Sequence, residues 1–339
     1  SDVYKRQAIC AAFSAIESAR QRCQTSLTYF EVGTLAAMWL FMRQPVEVAI
    51  LEVGLGGRLD AVNVFDPDCA VVTSIDLDHQ DYLGDTREAI GLEKIGILRE
   101  HKPAVCAEPK IPLMVRQRME AIGANLFLLN EHFSYQLEDL CWHYQGRHRQ
   151  DDNLPLPALN GACQLQNASA VLATLEAIET KLPVAQDCIR RGLESVSLAG
   201  RFQQISHRPS VILDVAHNPG AAHQLAANLN AAMTDGHTIA VVAMLKDKDM
   251  VNTIRELADS VDRWVVASLE VPRGASVEEM QLALQQAGIG HECVIGAFSN
   301  VSLAYAYACD YANENDRICV FGSFHTVGAV LEVFAAINR

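Results

Sequence analysis

The stretch LEVGLGGRLDAVNVFDPDCAVVTSIDLDHQDYLG, residues 51–84, leaves one apolar run, turns on Gly54, Gly56 and Gly57, and enters a second run. The runs themselves, VEVAILEV (46–53) and CAVVTSI (69–75), are short and β-branched, as parallel strands covered on both faces are. A dinucleotide-binding turn would read G-x-G-x-x-G, but Leu59 stands where the third glycine belongs, which weakens that reading. What remains is Glu52 near the carboxyl end of one strand and His79 after the next. Open α/β sheets place their ligands at those ends. A carboxylate there has the chemistry to hold Mg²⁺ in phosphate transfer, and one ion would reach both groups. Asp76, Asp78 and Asp81 crowd the same loop. Against this stands a plainer reading, in which Glu52 caps a turn, His79 is an ordinary loop histidine and the aspartates are merely solvated.

Outward from this stretch the alternation continues. Asp85 with Glu88 three residues on has the form of a capping box opening a helix over TREAIGLEKIGILRE (86–100), and PAVCAE (103–108) reads as the next strand. A polar segment over 133–153 reads as a small antiparallel excursion, LPLP (154–157) as extended chain, and residues 163–182 as a long helix. Five further strands, at 210–215, 238–245, 263–270, 291–296 and 317–324, alternate with helical runs. The expected class is α/β, with two doubly wound three-layer domains. SLAGRFQQI (197–205), where Gly200 interrupts a helical pattern, reads as the hinge.

Composition narrows the function. The 339 residues exceed the size at which single cores stop growing, roughly 250–300 residues. The net charge of −14 disfavours a grip on phosphate backbones, so no nucleic acid partner is expected. Ten scattered cysteines without a CxxC pair read as reduced thiols of a cytoplasmic protein. No apolar run reaches the roughly 18 residues a membrane span needs, so no membrane partner is expected either. The chain begins SDVYKRQ, without Met, and runs straight into amphipathic helix; these first seven residues are set aside as an appendage.

A second constellation lies in LDVAHNPGA, which puts Asp214, His217 and Asn218 at a strand end, before a helix that Pro219 can start. Such a helix start suits a nucleotide or anion, although a strand-end aspartate is more often structural. Arg201 alone would read as a surface residue, and KDKD (246–249) as a solvated charge run.

In chain order TYFE (28–31), LEVGLGGRLDAVN (51–63), TSIDLDHQDYLG (73–84), EKIGILR (93–99), GRFQ (200–203), DVAHNP (214–219) and GSFHTV (322–327) resemble the bacterial bifunctional dihydrofolate synthase/folylpolyglutamate synthases of the Mur ligase superfamily. The resemblance spans nearly the whole chain from about residue 20. It implies an incomplete Mur-ligase-type ATPase domain over residues 8–198, binding ATP, metal and pterin, followed by a C-terminal Rossmann-like glutamate-ligase domain over 199–339. It implies Glu52 and His79 as Mg²⁺ ligands, Lys94 as a carbamylated lysine acting in catalysis beside His217, and Asn167, Arg201 and Asp214 as ATP contacts. Thr28, Tyr29, Phe30, Glu31, Leu59, Asp60 and Ala61 would line the pterin site. The implied partners are dihydropteroate, tetrahydrofolate polyglutamates, L-glutamate and ATP, acting on a monomer.

One departure is plain. The family's G-T-x-G-K-[ST] phosphate loop occurs nowhere in these 339 residues, so the chain is expected to be an inactive fragment. Two other functions stay open at this point, an NAD-dependent oxidoreductase and a non-catalytic folate- or nucleotide-binding paralogue.

Overall fold

The computed structural model describes residues 2–44, 46–77, 80–159, 161 and 163–337. Two compact units result, Ser1–His132 with Ala173–Lys181, and Phe133–Leu172 with Leu182–Arg339.

The first unit opens with helices α1 (Asp2–Cys23) and α2 (Tyr29–Arg43). Residues 2–7, set aside above, therefore belong to α1. A parallel sheet ordered β1-β2-β3 follows, built from β1 (Ala70–Val72), β2 (Pro103–Cys106) and β3 (Asn125–Leu128). Between the strands lie the short α3 (Gln80–Leu83), α4 (Arg87–Lys94) and α5 (Leu113–Ile122). Ile90 of α4 and Val115 and Met119 of α5 bury themselves on Val72, Ala104, Cys106 and Leu128 of the sheet.

Three expectations fail here. The run 46–53 makes no strand: Val48 and Ile50 are exposed, and among the described residues no neighbour supplies the ladder that a β-branched sequence needs in order to become one. Thr86, not Asp85, caps α4, its hydroxyl accepting the Ala89 N–H at 3.2 Å, so the proposed box with Glu88 is one residue out of register. The helix also stops at Lys94 and tightens into a 3-10 turn over Ile95–Ile97.

The second unit contains two sheets. The expected excursion is an antiparallel sheet of β4 (Ser134–Glu138), β5 (Cys141–Gln145) and β6 (Gln150–Pro155), with Trp142 and Tyr144 fully buried on one face. Helices α6 (Gln164–Ala177) and α7 (Gln186–Ser195) follow, the last residues of α6 being counted with the first unit.

The larger sheet is ordered β11-β10-β9-β12-β8-β7. Its strands are β7 (Gln203–His207), β8 (Ser210–Leu213), β9 (Thr238–Val242), β10 (Arg263–Ala267), β11 (Val294–Phe298) and β12 (Arg317–Phe321). All pairs are parallel except β7 with β8. The five parallel strands match the five runs read from the sequence, whereas β7 begins inside the segment read as a hinge and runs two residues past it.

Period-two alternation gives each strand a contribution to two cores. Ala240 and Val242 face α8 (Pro219–Ala231), α9 (Met250–Arg255) and α10 (Val277–Ala287). Ile239 and Val241 face α11 (Val301–Tyr311) and α12 (Phe324–Ile337). Because α8 and α12 leave adjacent strands β8 and β12 toward opposite faces, the strand order reverses there. The loop carrying Asp214 stands at that switch point, where doubly wound sheets bind ligands.

Candidate active site

In the first unit the quoted motifs interlock through their backbones. Gly54 lies against the Phe30 ring; a methyl group on its Cα would come 2.9 Å from Phe30 Cζ. At Gly57 the same group would meet the carbonyl oxygens of Glu93 and Lys94 at 2.8 and 2.9 Å, and at Gly96 it would strike Arg58. The glycine turn therefore seats on the end of α4 that carries Lys94, and only hydrogen fits at the contact. Polar bonds lock the joint. Arg58 N–H donates to Glu93 O at 2.9 Å, its guanidinium donates to Glu93 Oε1 at 3.0 and 3.1 Å, and the Asn63 amide reaches the carbonyls of Arg58 and Gly96. Arg99 closes the far side on Asn63 and Asp66.

Several residues expected in the pterin site bond to backbone instead. Thr28 and Glu31 form a capping box at the start of α2: Thr28 N–H donates to Glu31 Oε2 at 2.6 Å and Glu31 N–H to Thr28 Oγ1 at 3.3 Å. The bond from the Thr28 backbone, then that from its hydroxyl, hold the Glu31 carboxyl below the usual carboxylate range. The T-x-x-E signature of this box stands in the sequence and passed unread there. Asp60 accepts the N–H groups of Gly54, Leu55 and Val62 at 3.0, 2.9 and 3.0 Å, pinning the glycine turn to the 3-10 turn Ala61–Val64. Tyr29 and Leu59 project into solvent, exposed by 94 and 79%, while the Phe30 ring lies on the glycine turn at Gly54.

Glu52 is exposed ahead of the glycine turn, and Lys94 is half-buried at the end of α4. His79 and Asp78 lie outside the described residues. The Lys94 backbone carbonyl lies against the turn at Gly57.

In the second unit Asp214 organises two loops. Its Oδ2 accepts the Phe202 N–H at 2.9 Å and its Oδ1 the Ala216 N–H at 2.8 Å, which ties GRF to VAH. Burial pushes its carboxyl above the usual range, opposed by those two bonds and by the charges of Arg201 and His217. Gly200 takes φ +69°, and a methyl group there would meet Val215 Cγ1 at 2.8 Å. His217 Nδ1–H donates to Val215 O at 2.9 Å, while Asn218 caps α8 by accepting the Ala221 N–H, with Pro219 at its first turn. Arg201 lies 5.9 Å from the Phe324 ring centroid, joining GRFQ to GSFHTV.

The last motif is a tight strand-to-helix turn. Gly322 at φ +117° leaves no room for a side chain beside Ala243 O, and Thr326 Oγ1 donates to that same carbonyl at 2.6 Å. Asn167 stands in the second turn of α6, and the charges of Asp214 and Arg201 reach Cys163 at the start of that helix. The KDKD run, read above as solvated, also has structural work: Asp249 caps α9 and Asp247 pairs with Arg273.

Comparison with known proteins agrees with this arrangement. Residues 3–148 match the Mur ligase middle domain and residues 200–324 the Mur ligase glutamate ligase domain. The chain is 45% identical over 326 residues to the dihydrofolate synthase/folylpolyglutamate synthase of Escherichia coli K12, covering 96% of this chain and 74% of that protein. The structure of E. coli FolC with DHPP and ADP superposes with a TM-score of 0.90 at 44% identity, over 98% of this chain and 76% of that one. A bifunctional folylpolyglutamate synthase/dihydrofolate synthase with Mn, AMPPNP and L-glutamate bound gives 0.85 at 43%, over 98% and 76%. The expectation of an inactive fragment is not borne out by these comparisons, and the nicotinamide alternative loses its footing. The chain belongs to the dihydrofolate synthase/folylpolyglutamate synthase family of Mur ligases.

Proposed function

We propose that the protein joins L-glutamate to dihydropteroate and to the glutamate tails of tetrahydrofolates at the expense of ATP. The observation that carries this is the interlock of Phe30, the glycine turn and the Lys94 end of α4, together with the Asp214 knot in the second unit. Residues 8–198, which take in the first unit together with the small sheet and α7 of the second, act as the ATP-, metal- and pterin-binding region, and residues 199–339, with the large sheet, as the glutamate-ligase domain. The reaction takes place in the cytoplasm, on a monomer. All ten cysteines are free thiols, and among the described residues no helix is long and apolar enough to cross a membrane.

In the reaction a substrate carboxylate oxygen attacks the γ-phosphorus of ATP, and the bond to ADP breaks to give an acyl phosphate. The glutamate amine then attacks the acyl carbon, loses a proton, and expels inorganic phosphate that keeps the carboxylate oxygen. Phe30, Tyr29 and Leu59 offer apolar surface to the pterin, on a backbone that Thr28, Glu31, Asp60 and Ala61 hold in shape. Asp214 positions Arg201 and His217 through the loops it ties, and with Asn167 these residues hold the nucleotide. Glu52, His79 and a carbamylated Lys94 would hold Mg²⁺, which when bound neutralises charge on the transferring phosphoryl group. Dihydropteroate labelled with ¹⁸O in its carboxylate tests the route: one label should appear in the released phosphate. Unlabelled phosphate would exclude the acyl phosphate.

A further inference from the structure

The small antiparallel sheet β4-β5-β6 turns its Trp142 and Tyr144 side inward, Trp142 Nε1–H donating to Pro155 O at 2.9 Å. On the opposite side, period-two alternation places Cys141 and His143 together on β5. Glu138 of β4 pairs directly with Cys141 across the hairpin. One ligand atom from each of Glu138, Cys141 and His143 lies within 4.8 Å of the other two. Ligands bound tetrahedrally to one zinc ion at the usual bond lengths stand about 3.4 Å apart. Rotamer changes of the exposed Glu138 and the half-buried Cys141 and His143 would close the difference.

The surroundings have the form that metal-binding histidines need. His143 Nε2 meets Glu138 Oε2 at 2.8 Å, and its other ring nitrogen, Nδ1, meets Asp152 Oδ1 at 3.0 Å. A carboxylate on the far nitrogen orients the ring and raises its basicity toward a metal. Asp152 is itself braced: Gln150 Nε2–H donates to its carboxylate, and Arg190 of α7 donates to the backbone carbonyls of Asp152 and Asn153 at 3.0 and 2.8 Å. Asn153 Oδ1, 3.7 Å from the Cys141 thiol, adds an oxygen at the rim. Glu138, His143 and Asp152, without Cys141, also line a cavity of about 590 Å³, bounded by Ser134, Gln136 and Gln145.

We propose that Glu138, Cys141 and His143 form a three-ligand zinc site on the small sheet, with Asp152 as the carboxylate behind the histidine and a water completing the coordination. The mixed sulfur, nitrogen and oxygen donors select zinc over magnesium, so this site is chemically separate from an oxygen-rich Mg²⁺ centre.

Titration of the whole chain with Co²⁺ reads the site directly, because only a cysteine-bound cobalt gives thiolate-to-cobalt charge-transfer absorption. The expected result is one equivalent of cobalt with that absorption, bleached by Zn²⁺. Cys141→Ser and His143→Ala abolish it, Cys188→Ser leaves it unchanged, and Asp152→Asn weakens affinity about 10- to 100-fold. Circular dichroism of each variant checks that the sheet is intact. No charge-transfer absorption in the parent, or absorption that survives Cys141→Ser, overturns the proposal.

Discussion

Gly54 and the Phe30 ring are in van der Waals contact, with Phe30 Cζ only 2.9 Å from where a Cβ on Gly54 would sit. Two motifs twenty-four residues apart are thereby joined in one apolar surface. Gly54→Ala should push the ring off the turn, costing about 1–3 kcal/mol in stability and raising KM for dihydropteroate more than it lowers kcat. Pairing it with Phe30→Ala removes the clash, so the double variant should be less destabilised than the sum of the single changes. Additive effects by thermal unfolding would count against the contact.

Lys94 shares the end of α4 with the carbonyl that seats Gly57. If its amine is carbamylated, Lys94→Ala should lose most of the ligase activity, and added acetate should restore part by supplying the missing anion. Intact mass of active, metal-loaded protein should show the added carboxylate; an unmodified amine there would rule the role out.

Asp214 accepts two backbone N–H groups, each of which costs about 1–3 kcal/mol if buried without a partner. Asp214→Ala should therefore destabilise the second unit and raise KM for ATP at least roughly tenfold, by releasing Arg201 and His217 together. Asp214→Asn keeps one acceptor and should be the milder change in stability. Equal melting temperatures for parent and Asp214→Ala would contradict the knot.

Glu31 gives a dependence on pH. Its folded-state carboxyl lies below the ordinary 4.5 because the Thr28 backbone N–H, then the hydroxyl, favours the charged form. A carboxyl depressed by folding adds stability above its unfolded pKa and loses it as pH falls through the folded one. Parent and Glu31→Gln should therefore differ in melting temperature at pH 7 and converge in acid below that range. A difference that stays constant across the titration would remove Glu31 from the cap.

Much of this architecture is legible in the amino-acid order. Continuous β-branched runs mark the five parallel strands of the large sheet, because both faces of such strands are buried. Their order is not legible, since α11 carries the chain back to insert β12 between β9 and β8. VEVAILEV misleads because the composition of a strand does not supply the neighbour that makes it one. Among the candidate site residues, Asp214 and His217 announce themselves at a strand end. The Arg58–Glu93 joint, 35 residues apart, and the seat of Gly57 on the Lys94 carbonyl exist only once α4 has folded against the turn.

The central claim is that Glu52 and His79 serve an ATP-dependent glutamate ligase. ADP release by the protein, measured with each substrate omitted in turn, tests it most directly. ADP should form only when ATP, L-glutamate and dihydropteroate or a folate are all present, in equal amount to ligated product. It should fall to background in Glu52→Gln and in His79→Ala at unchanged melting temperature. ADP formed without the pterin substrate, or activity within a few-fold of the parent in both variants, would contradict the account.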